Sequence, residues 1–296
     1  MKKTLALLLA LLLLLPAAAG AEKIVTSFYP VWILALNLAE GIDGLDVVNL
    51  TDPATGCLHN YSLLPSDWDA LSSADALLVN GAGMESSFLP KITEAYPQLP
   101  VIEAAEGLPA LNESGMVEIG EHEEGEEINA HLWLDPQRAA GMAENLANGI
   151  IRILPAYEQQ VTDNLKGLRL RLLGLDETLR EQLQDTGRKV IIFHEAFPYF
   201  AEACGLSVAA VVNKEPEDAL PTAQLARVVE LIGKEVPAPV IIKSAEADPS
   251  VDTLVNETGI AVCELDPLTT GPKDPPLDYY EAVMVKNMNK LLEMLR

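Results

Sequence analysis

The sequence predicts an α/β protein of two lobes, each with a parallel sheet of about four strands, joined by one long rigid helix. Three observations predict this fold. Short runs rich in Val and Ile alternate with helical patterns, which is typical of strand–helix–strand units and a parallel sheet. The alternation occurs once in each half of the chain. Between the halves lies a long stretch of helically spaced leucines.

The first lobe is predicted over residues 22–154 and contains four strands. These strands are Lys23–Ser27, Asp46–Leu50, Ala76–Val79 and Pro100–Ile102. A helix is expected around Val31–Ala39. Another is expected to begin near Ser66, a good N-cap residue, with Asp69 three residues later at the capping-box position.

The joining helix is predicted over residues 155–186. Pro155 suits the first turn of a helix and Gly187 suits its end. A helix of this length reaches roughly 45 Å, which suits a rod between two lobes. A coiled coil is the weaker alternative, because the apolar stripe lasts only about four turns. Gly167 and Gly174 count against a single straight rod.

The second lobe is predicted over residues 187–296 and repeats the pattern of the first. Its strands are Lys189–Phe193, Ser207–Val212, Val240–Lys243 and Ile260–Leu265. Helices fill the gaps, notably Thr222–Glu235 and a terminal helix near Tyr279–Leu295.

The first residues have the pattern of a secretory signal peptide. Two lysines precede an unbroken run of Leu and Ala, and small residues follow up to Ala21. The apolar run is near half of the roughly 20 residues that a membrane span needs. We therefore expect cleavage after Ala21, which gives residues 1–21 as the signal peptide. No Cys occurs near that point, so no lipid anchor is evident, and the mature protein is expected in the periplasm or an equivalent compartment.

Composition favours a cationic ligand. The formal net charge is −24, and so acidic a surface repels nucleic acid and attracts cations. The Glu-rich stretch 113–127, which contains His122, is interpreted as a solvated loop that can at most collect cations weakly. In an oxidising compartment the three cysteines allow one disulfide. Cys204 with Cys263 is the pairing that we favour.

Four polar residues stand out by their position after predicted strands. His59, His131 and His194 lie at or beyond such strand ends, and Asp266 directly follows the last strand. Ligands bind at the carboxyl edge of open parallel sheets, so two lobes can bring these residues to one cleft between them. Three imidazoles and one carboxylate suit zinc, whereas manganese sites contain more oxygen ligands. Taken singly, each residue is more often structural, and an Asp before Pro commonly opens a turn.

Several segments in order resemble the bacterial solute-binding protein 9 family, the metal receptors of zinc and manganese ABC importers. They are His59–Asp67, Asn80–Glu85, His131–Pro136, Phe193–Phe200 and Leu265–Leu268. The resemblance covers essentially the whole mature chain. It implies two α/β lobes on one long helix, with metal held in the interlobe cleft. It also implies docking onto a membrane permease that a cytoplasmic ATPase drives.

Carried over by position, the resemblance places His59, His131, His194 and Asp266 on the metal ligands of the family. Members similar to manganese receptors have Glu at the third position, so His194 favours zinc. The resemblance thus implies an extracytoplasmic, monomeric receptor with high affinity for Zn²⁺, which is its transported ligand. Asp266 is the least certain of the four, because water or another carboxylate can replace it. Unlike many zinc members, this chain has a short acidic loop rather than a His-rich one before the second ligand.

Other functions are weighed against this one. A manganese or iron receptor of the same fold is the main alternative, and a host-factor binder is neither supported nor excluded. A zinc-dependent hydrolase or lyase is disfavoured, because Asp266 would close the open position that a catalytic zinc needs. No His-Glu-x-x-His, Gly-x-Ser-x-Gly or phosphate-loop motif occurs. Cys57 is interpreted as a packing residue or unbonded thiol, because Cys and His in Cys-x-His must fold back sharply to share one ion.

Overall fold

A computed structural model describes residues 21–58, 60–112, 128–184, 186–212 and 219–296. Three features predicted from the sequence therefore lie outside the described residues. They are residues 1–20 of the signal peptide, the candidate ligand His59 and the Glu-rich stretch 113–127 with His122.

Two separate four-stranded parallel sheets form the two lobes, as predicted. The first contains β1 (Glu22–Thr26), β2 (Leu45–Asn49), β3 (Ala76–Val79) and β4 (Val101–Glu103), in the order β2-β1-β3-β4. The second contains β5 (Val190–Phe193), β6 (Val208–Val212), β7 (Val240–Lys243) and β8 (Ala261–Glu264), in the order β6-β5-β7-β8. All pairings are parallel. The carboxyl ends of the strands in each sheet therefore lie at one edge. His194 directly follows β5, and Asp266 lies two residues beyond β8.

Nine α-helices lie among the described residues. They are α1 (Tyr29–Leu38), α2 (Pro65–Leu71), α3 (Leu89–Ala95), α4 (Pro136–Ile153), α5 (Glu158–Leu183), α6 (Pro198–Ala203), α7 (Thr222–Lys234), α8 (Pro249–Thr258) and α9 (Tyr279–Leu295). Short 3₁₀ turns, Leu132–Leu134 and Pro155–Tyr157, precede α4 and α5.

The start of α2 differs from the prediction at Ser66 and Asp69. The N-cap is Leu64, because Pro65 at the first helical position already has the required φ. The carboxylate of Asp67, rather than that of Asp69, accepts the backbone N–H of Leu64 at 2.7 Å. Asp67 is buried and also accepts the hydroxyl of Tyr61 at 2.8 Å. The predicted cap residues were therefore wrong, although the helix was expected in the right place.

The long helix α5 has 26 residues and is roughly 39 Å long. It packs along α4 and also contacts α1 and α9. Since α1 precedes β2 and α9 follows β8, one helix supports elements of both lobes. Its apolar stripe includes Leu168, Leu172, Leu175 and Leu179, which are buried as their helical spacing predicts.

One buried hydrophobic cluster runs through both lobes. It includes Ile24 of β1, Leu172 of α5, Val240 of β7 and Leu291 of α9. A smaller cluster that includes Phe193 covers the other face of the second sheet, beneath α7 and α8. Because the two lobes share a core, separating them would expose apolar surface to water. Every helix in the described residues is too short or too polar to span a lipid bilayer.

The expected disulfide between Cys204 and Cys263 is absent, so that prediction was wrong. Cys204 ends α6, and Asp176 and Arg180 of α5 act on its thiol electrostatically. Cys263 lies in the edge strand β8 near Lys290 of α9. Burial raises the pKa of the Cys204 thiol far above its ordinary value and that of Cys263 to about 11. Both thiols are buried and protonated at neutral pH, as inert structural cysteines are.

Alanine substitution in the long helix should stabilise the protein. Gly167 and Gly174 both lie on the exposed side of α5, and a Cβ at either position would meet no atom within 4 Å. Gly167→Ala and Gly174→Ala should each raise the free energy of unfolding by about 0.5–1 kcal/mol, because alanine restricts the unfolded chain. Guanidinium unfolding would measure this. As a contrast, Gly149→Ala in α4 should destabilise, since its Cβ would lie 2.6 Å from the Ile102 side chain.

Candidate metal centre

Two of the predicted ligands lie between the lobes with their rings close together. His131 directly precedes the 3₁₀ turn that leads into α4, and His194 directly follows β5. Their ring centroids are 5.9 Å apart at an interplanar angle of 71°. His131 is 1% exposed and His194 is 9% exposed. The structure thus brings one imidazole from each lobe to the interlobe region.

Asn129 fixes the orientation of the His131 ring. Its side-chain amide donates to the Glu195 carbonyl at 2.7 Å, which leaves its Oδ1 turned toward His131. That oxygen lies 3.0 Å from the His131 backbone N and 3.1 Å from His131 Nδ1. A proton on Nδ1 therefore has an acceptor, and Nε2 presents its lone pair. This is the tautomer of a histidine that binds metal through Nε2.

Tyr199 of α6 holds the same segment from the second lobe. Its hydroxyl donates to the Asn129 carbonyl at 2.7 Å and accepts the Leu111 backbone N–H at 2.8 Å. Asn112 and Ile128 pair in an antiparallel bridge, and the N–H of Asn129 donates to the Leu111 carbonyl. The two ends of the stretch 113–127 are therefore joined at its base. Burial raises the pKa of Tyr199 to about 12, so the hydroxyl remains a donor at physiological pH.

His194 has an uncommon backbone conformation for a residue with a side chain. Its φ is 95°, in the region that favours glycine. Such strain persists only where the surrounding structure maintains it, and it occurs often at functional sites. The Ala196 backbone N–H donates to His194 Nδ1 at 3.3 Å, which is long for such a bond. A neutral imidazole has one lone pair in its ring plane, so binding a metal through Nε2 requires this hydrogen bond to break.

A buried carboxylate supports the loop after β3, which contacts the segment of His131. Glu85 is 1% exposed and accepts the backbone N–H groups of Asn80 at 2.7 Å and Gly81 at 3.1 Å. The Asn80 side chain donates to the Ala130 carbonyl at 2.9 Å. Burial raises the pKa of Glu85 to about 7 against the opposing effect of these backbone hydrogen bonds. The motif Asn80–Glu85 therefore holds the backbone of Ala130 in place, directly before His131.

Asp266 lies beyond β8 and is held mainly by its own turn. Its Oδ1 accepts the Leu268 backbone N–H at 2.9 Å, and Leu268 has a φ of 60°. Its backbone N–H and carbonyl both bond the Asn287 side chain. The turn role that an Asp before Pro often has is therefore present. Among the described residues, no hydrogen bond or ion pair joins Asp266 to either histidine.

Trp133 links the turn of Asp266 to the segment of His131. The indole N–H donates to the Pro267 carbonyl at 2.8 Å. The indole ring meets that of Phe28 edge-on, with centroids 5.3 Å apart, and its centroid lies 5.0 Å from that of His131. The turn that contains Asp266 is therefore joined across the lobes to the segment of His131.

Cys57, expected as a packing residue or unbonded thiol, lies against His131. Its Sγ is 3.7 Å from His131 Nε2. Within the described ranges, no group of three or more His, Cys, Asp or Glu side chains is arranged to hold a metal ion. The described part of the candidate centre is therefore the pair His131 and His194, with Cys57 beside the first.

Sequence reasoning missed three residues that position the site: Asn129, Tyr199 and Trp133. Each lies within two residues of a candidate ligand or inside a motif that contains one, namely His131–Pro136 or Phe193–Phe200. Their closeness in sequence to a candidate ligand was the one indication that they belong to the site. It did not reveal their roles, because each role depends on a contact with the other lobe.

Comparison with protein families gives one match that covers nearly the whole chain. The family is described as zinc-uptake complex component A, periplasmic (ZnuA), and its model matches residues 24–294.

Three curated relatives share about a quarter of their residues with the chain. The zinc-binding lipoprotein AdcA of Streptococcus pneumoniae is 26% identical over 285 residues, which cover 93% of this chain and 56% of AdcA. The chain thus spans about half the length of that relative. The manganese-binding lipoprotein MntA of Halalkalibacterium halodurans is 25% identical, over 84% of this chain and 83% of MntA. The high-affinity zinc uptake system protein ZnuA of Yersinia pestis is 27% identical, over 88% of each.

Solved structures share the fold. FpvC of Pseudomonas aeruginosa, a structure in complex with Mn²⁺, aligns with a TM-score of 0.79 at 22% identity, over 93% of this chain and 99% of FpvC. The Zn(II)-bound ZnuA-like domain of S. pneumoniae AdcA aligns with a TM-score of 0.73 at 25% identity, over 93% of this chain and 98% of that domain.

Proposed function

We infer a function from one premise: this chain belongs to the family of periplasmic zinc-uptake complex component A. The protein is a high-affinity zinc receptor outside the cytoplasm that delivers Zn²⁺ to an ABC-type metal importer. Zinc is its transported ligand and not a catalytic cofactor. Its protein partners are the membrane permease of that importer and, through the permease, the cytoplasmic ATPase. It acts as a monomer, it binds no nucleic acid and it is not an enzyme.

The observation that carries this proposal is the pair of adjacent imidazoles between the lobes. The 5.9 Å separation of the His131 and His194 rings is short enough for a modest movement to bring both to one ion. His59 and Asp266 complete the proposed ligand set. Imidazole suits zinc, whereas a manganese site would contain more carboxylate oxygen. Two imidazoles in contact at the interlobe region therefore support zinc over manganese.

The second candidate is a manganese receptor, and the similarity to MntA favours it. Zinc and manganese can be separated by their effects on thermal unfolding. A ligand that binds only the folded protein stabilises it by about 4 kcal/mol at 1,000 times its dissociation constant. We expect micromolar Zn²⁺ to raise the unfolding temperature strongly and equal Mn²⁺ to raise it little. Equal shifts with both ions, or a larger shift with Mn²⁺, would contradict the zinc assignment.

The absence of catalysis is also testable. The zinc-loaded protein should show no turnover of ester or carbon dioxide substrates beyond that of free Zn²⁺. Turnover that His131→Ala abolishes would instead favour the zinc enzyme. That outcome would mean that the site keeps an open position for water.

We also propose that export depends on a cleaved signal peptide without lipid attachment. AdcA and MntA are named lipoproteins, whereas the first Cys of this chain is Cys57. A lipid anchor requires a thiol at the mature N-terminus, and cleavage after Ala21 leaves none there. Mass spectrometry of the exported protein should give an unmodified N-terminus at Glu22.

A further inference from the structure

We propose that Cys57 is a further metal ligand, whose sulfur binds the same zinc ion as His131. This inference rests on the proposed function. It gives the imidazoles assigned above a soft, charged donor that competes with the carboxylate of Asp266 for the fourth position around a tetrahedral ion. Cys57 is not an isolated thiol, because it contacts His131, which in turn faces His194. His131 is thus the residue that contacts both of the others.

The distance between the two donor atoms fits shared coordination. Zinc binds sulfur at about 2.3 Å and imidazole nitrogen at about 2.0–2.1 Å. Two such ligands at a tetrahedral angle are therefore about 3.6 Å apart. The distance from Cys57 Sγ to His131 Nε2 is 3.7 Å. An ion could bind both atoms with almost no change in their separation.

The sulfur lies at the ring nitrogen that is available to a metal. Asn129 Oδ1 lies against Nδ1 of His131, so Nε2 is the nitrogen with the lone pair. A thiol with only a packing role could have lain against any part of the ring. The sulfur instead lies next to the single atom through which His131 would bind zinc.

The loop that carries Cys57 is anchored on the first lobe. Leu58 is fully buried, and its carbonyl accepts the Tyr61 backbone N–H at 3.0 Å. The Ser87 hydroxyl donates to the same carbonyl at 3.4 Å. Cys57 itself is partly exposed. The pair is thus positioned by structure that exists without the ion.

The objection to Cys57 drawn from the sequence does not apply to this pair. A Cys-x-His segment must fold back sharply for its two residues to share an ion. Cys57 and His131 are 74 residues apart and already in contact, so their pairing requires no such turn. Residues distant in sequence can take adjacent positions around an ion without strain in the chain between them.

A sulfur ligand would also strengthen the preference for zinc. Thiolate is a soft ligand that selects zinc over manganese. On binding, the thiol loses its proton to solvent and supplies one negative charge to the ion. One oxygen of the Asp266 carboxylate, Oδ1, already accepts the Leu268 backbone N–H. A thiolate at Cys57 would supply a full negative charge that does not depend on that turn.

Cobalt substitution tests the proposal directly. Co²⁺ takes the place of zinc in tetrahedral sites, and a thiolate ligand gives a sulfur-to-cobalt charge-transfer band in the near ultraviolet. The Co²⁺-loaded mature protein should show this band. Cys57→Ser should remove the band and lower the zinc affinity at least about ten-fold, since even outer partners of a ligand contribute that much. Manganese affinity should change far less.

The matched control is Cys263→Ala, which removes a buried thiol beside Lys290 of α9. It should keep both the band and the zinc affinity. Alkylation by iodoacetamide gives a second measurement on the wild-type protein. Cys57 should react without metal and be protected by Zn²⁺ but not by Mn²⁺, whereas Cys204 and Cys263 should resist in all cases because they are buried.

The outcomes separate this inference from the proposed function. Wild-type protein that binds Co²⁺ without a charge-transfer band would overturn the role of Cys57 and leave the zinc receptor intact. The same holds if Cys57→Ser binds zinc as tightly as the wild type. Failure of the wild-type protein to bind zinc at all would contradict the receptor function, and with it the inference.

Discussion

Replacing His131 by alanine should remove most of the stabilisation that zinc gives to this protein. His131 is almost fully buried, and Asn129 holds its ring with Nε2 available. Loss of an outer partner of a metal ligand already costs 10–100-fold in affinity. Loss of the ligand should cost at least about 100-fold, which reduces the zinc-dependent stabilisation by about 2.7 kcal/mol. His194→Ala should have an effect of the same size.

The measurement is the difference between unfolding free energies with and without Zn²⁺, variant by variant. This difference matters because His131→Ala also leaves Asn129 Oδ1 with one donor fewer and so weakens the metal-free protein. His122→Ala is the control, since it removes the one histidine outside the proposed ligand set. It should keep the full response to zinc. A normal response of His131→Ala would refute the proposed site.

Replacing Trp133 by alanine should destabilise the metal-free protein by about 3–5 kcal/mol, the usual cost of removing a large buried aromatic side chain. Trp133 is 1% exposed and is among the largest fully buried side chains. It packs edge-on against Phe28 of the first lobe and donates to the Pro267 carbonyl of the second. Its removal would therefore create a cavity and also break a hydrogen bond between the lobes.

Trp133→Phe separates these two contributions. Phenylalanine keeps an aromatic ring against Phe28 but cannot donate to the Pro267 carbonyl. Its cost should be smaller, about 1–3 kcal/mol for an acceptor left without its donor. Guanidinium unfolding of both variants without metal gives the comparison. A loss below about 1 kcal/mol for Trp133→Ala would mean that the lobes do not depend on this contact.

The eight strands could be predicted because their signal is local. Runs such as Ala76–Val79 and Val240–Lys243 are buried on both faces and read as continuous apolar segments, and both agree with the structure residue for residue. The other strands differ from the prediction by one residue at one or both ends, where hydrogen bonding to a neighbouring strand decides the limit. The overall fold class is confirmed by the two sheets and by the similar solved structures.

Helix α4 was not predicted as a separate element, because two residues that it needs for close packing are poor helix formers. It contains Gly141 and Gly149, which lower helix propensity. In the structure these glycines allow close approach: a Cβ would lie 2.8 Å from the Leu108 side chain at the first and 2.6 Å from Ile102 at the second. The low helix propensity of these glycines is outweighed by the tertiary packing that they permit. A local sequence pattern carries no information about that packing.

The candidate site was only partly predictable for a similar reason. The strand-end rule identified His131 and His194, and these two lie together. The rule says nothing about loops, and the contact of Cys57 with His131 depends on the path of the loop after β2. The ligand set His59, His131, His194 and Asp266 remains a prediction. Metal analysis of the purified protein together with the four single substitutions would test it.

The bridge between Asn112 and Ile128 has a consequence for how proteins of this family can diversify. The Tyr199 hydroxyl bonds the backbone of both Leu111 and Asn129. The two ends of the stretch 113–127 therefore stay a fixed distance apart whatever sequence connects them. Doubling the length of a flexible connection costs only about 0.6 kcal/mol. Evolution or an engineer can therefore exchange this insert for a longer or differently charged one beside the cleft and leave the scaffold unchanged.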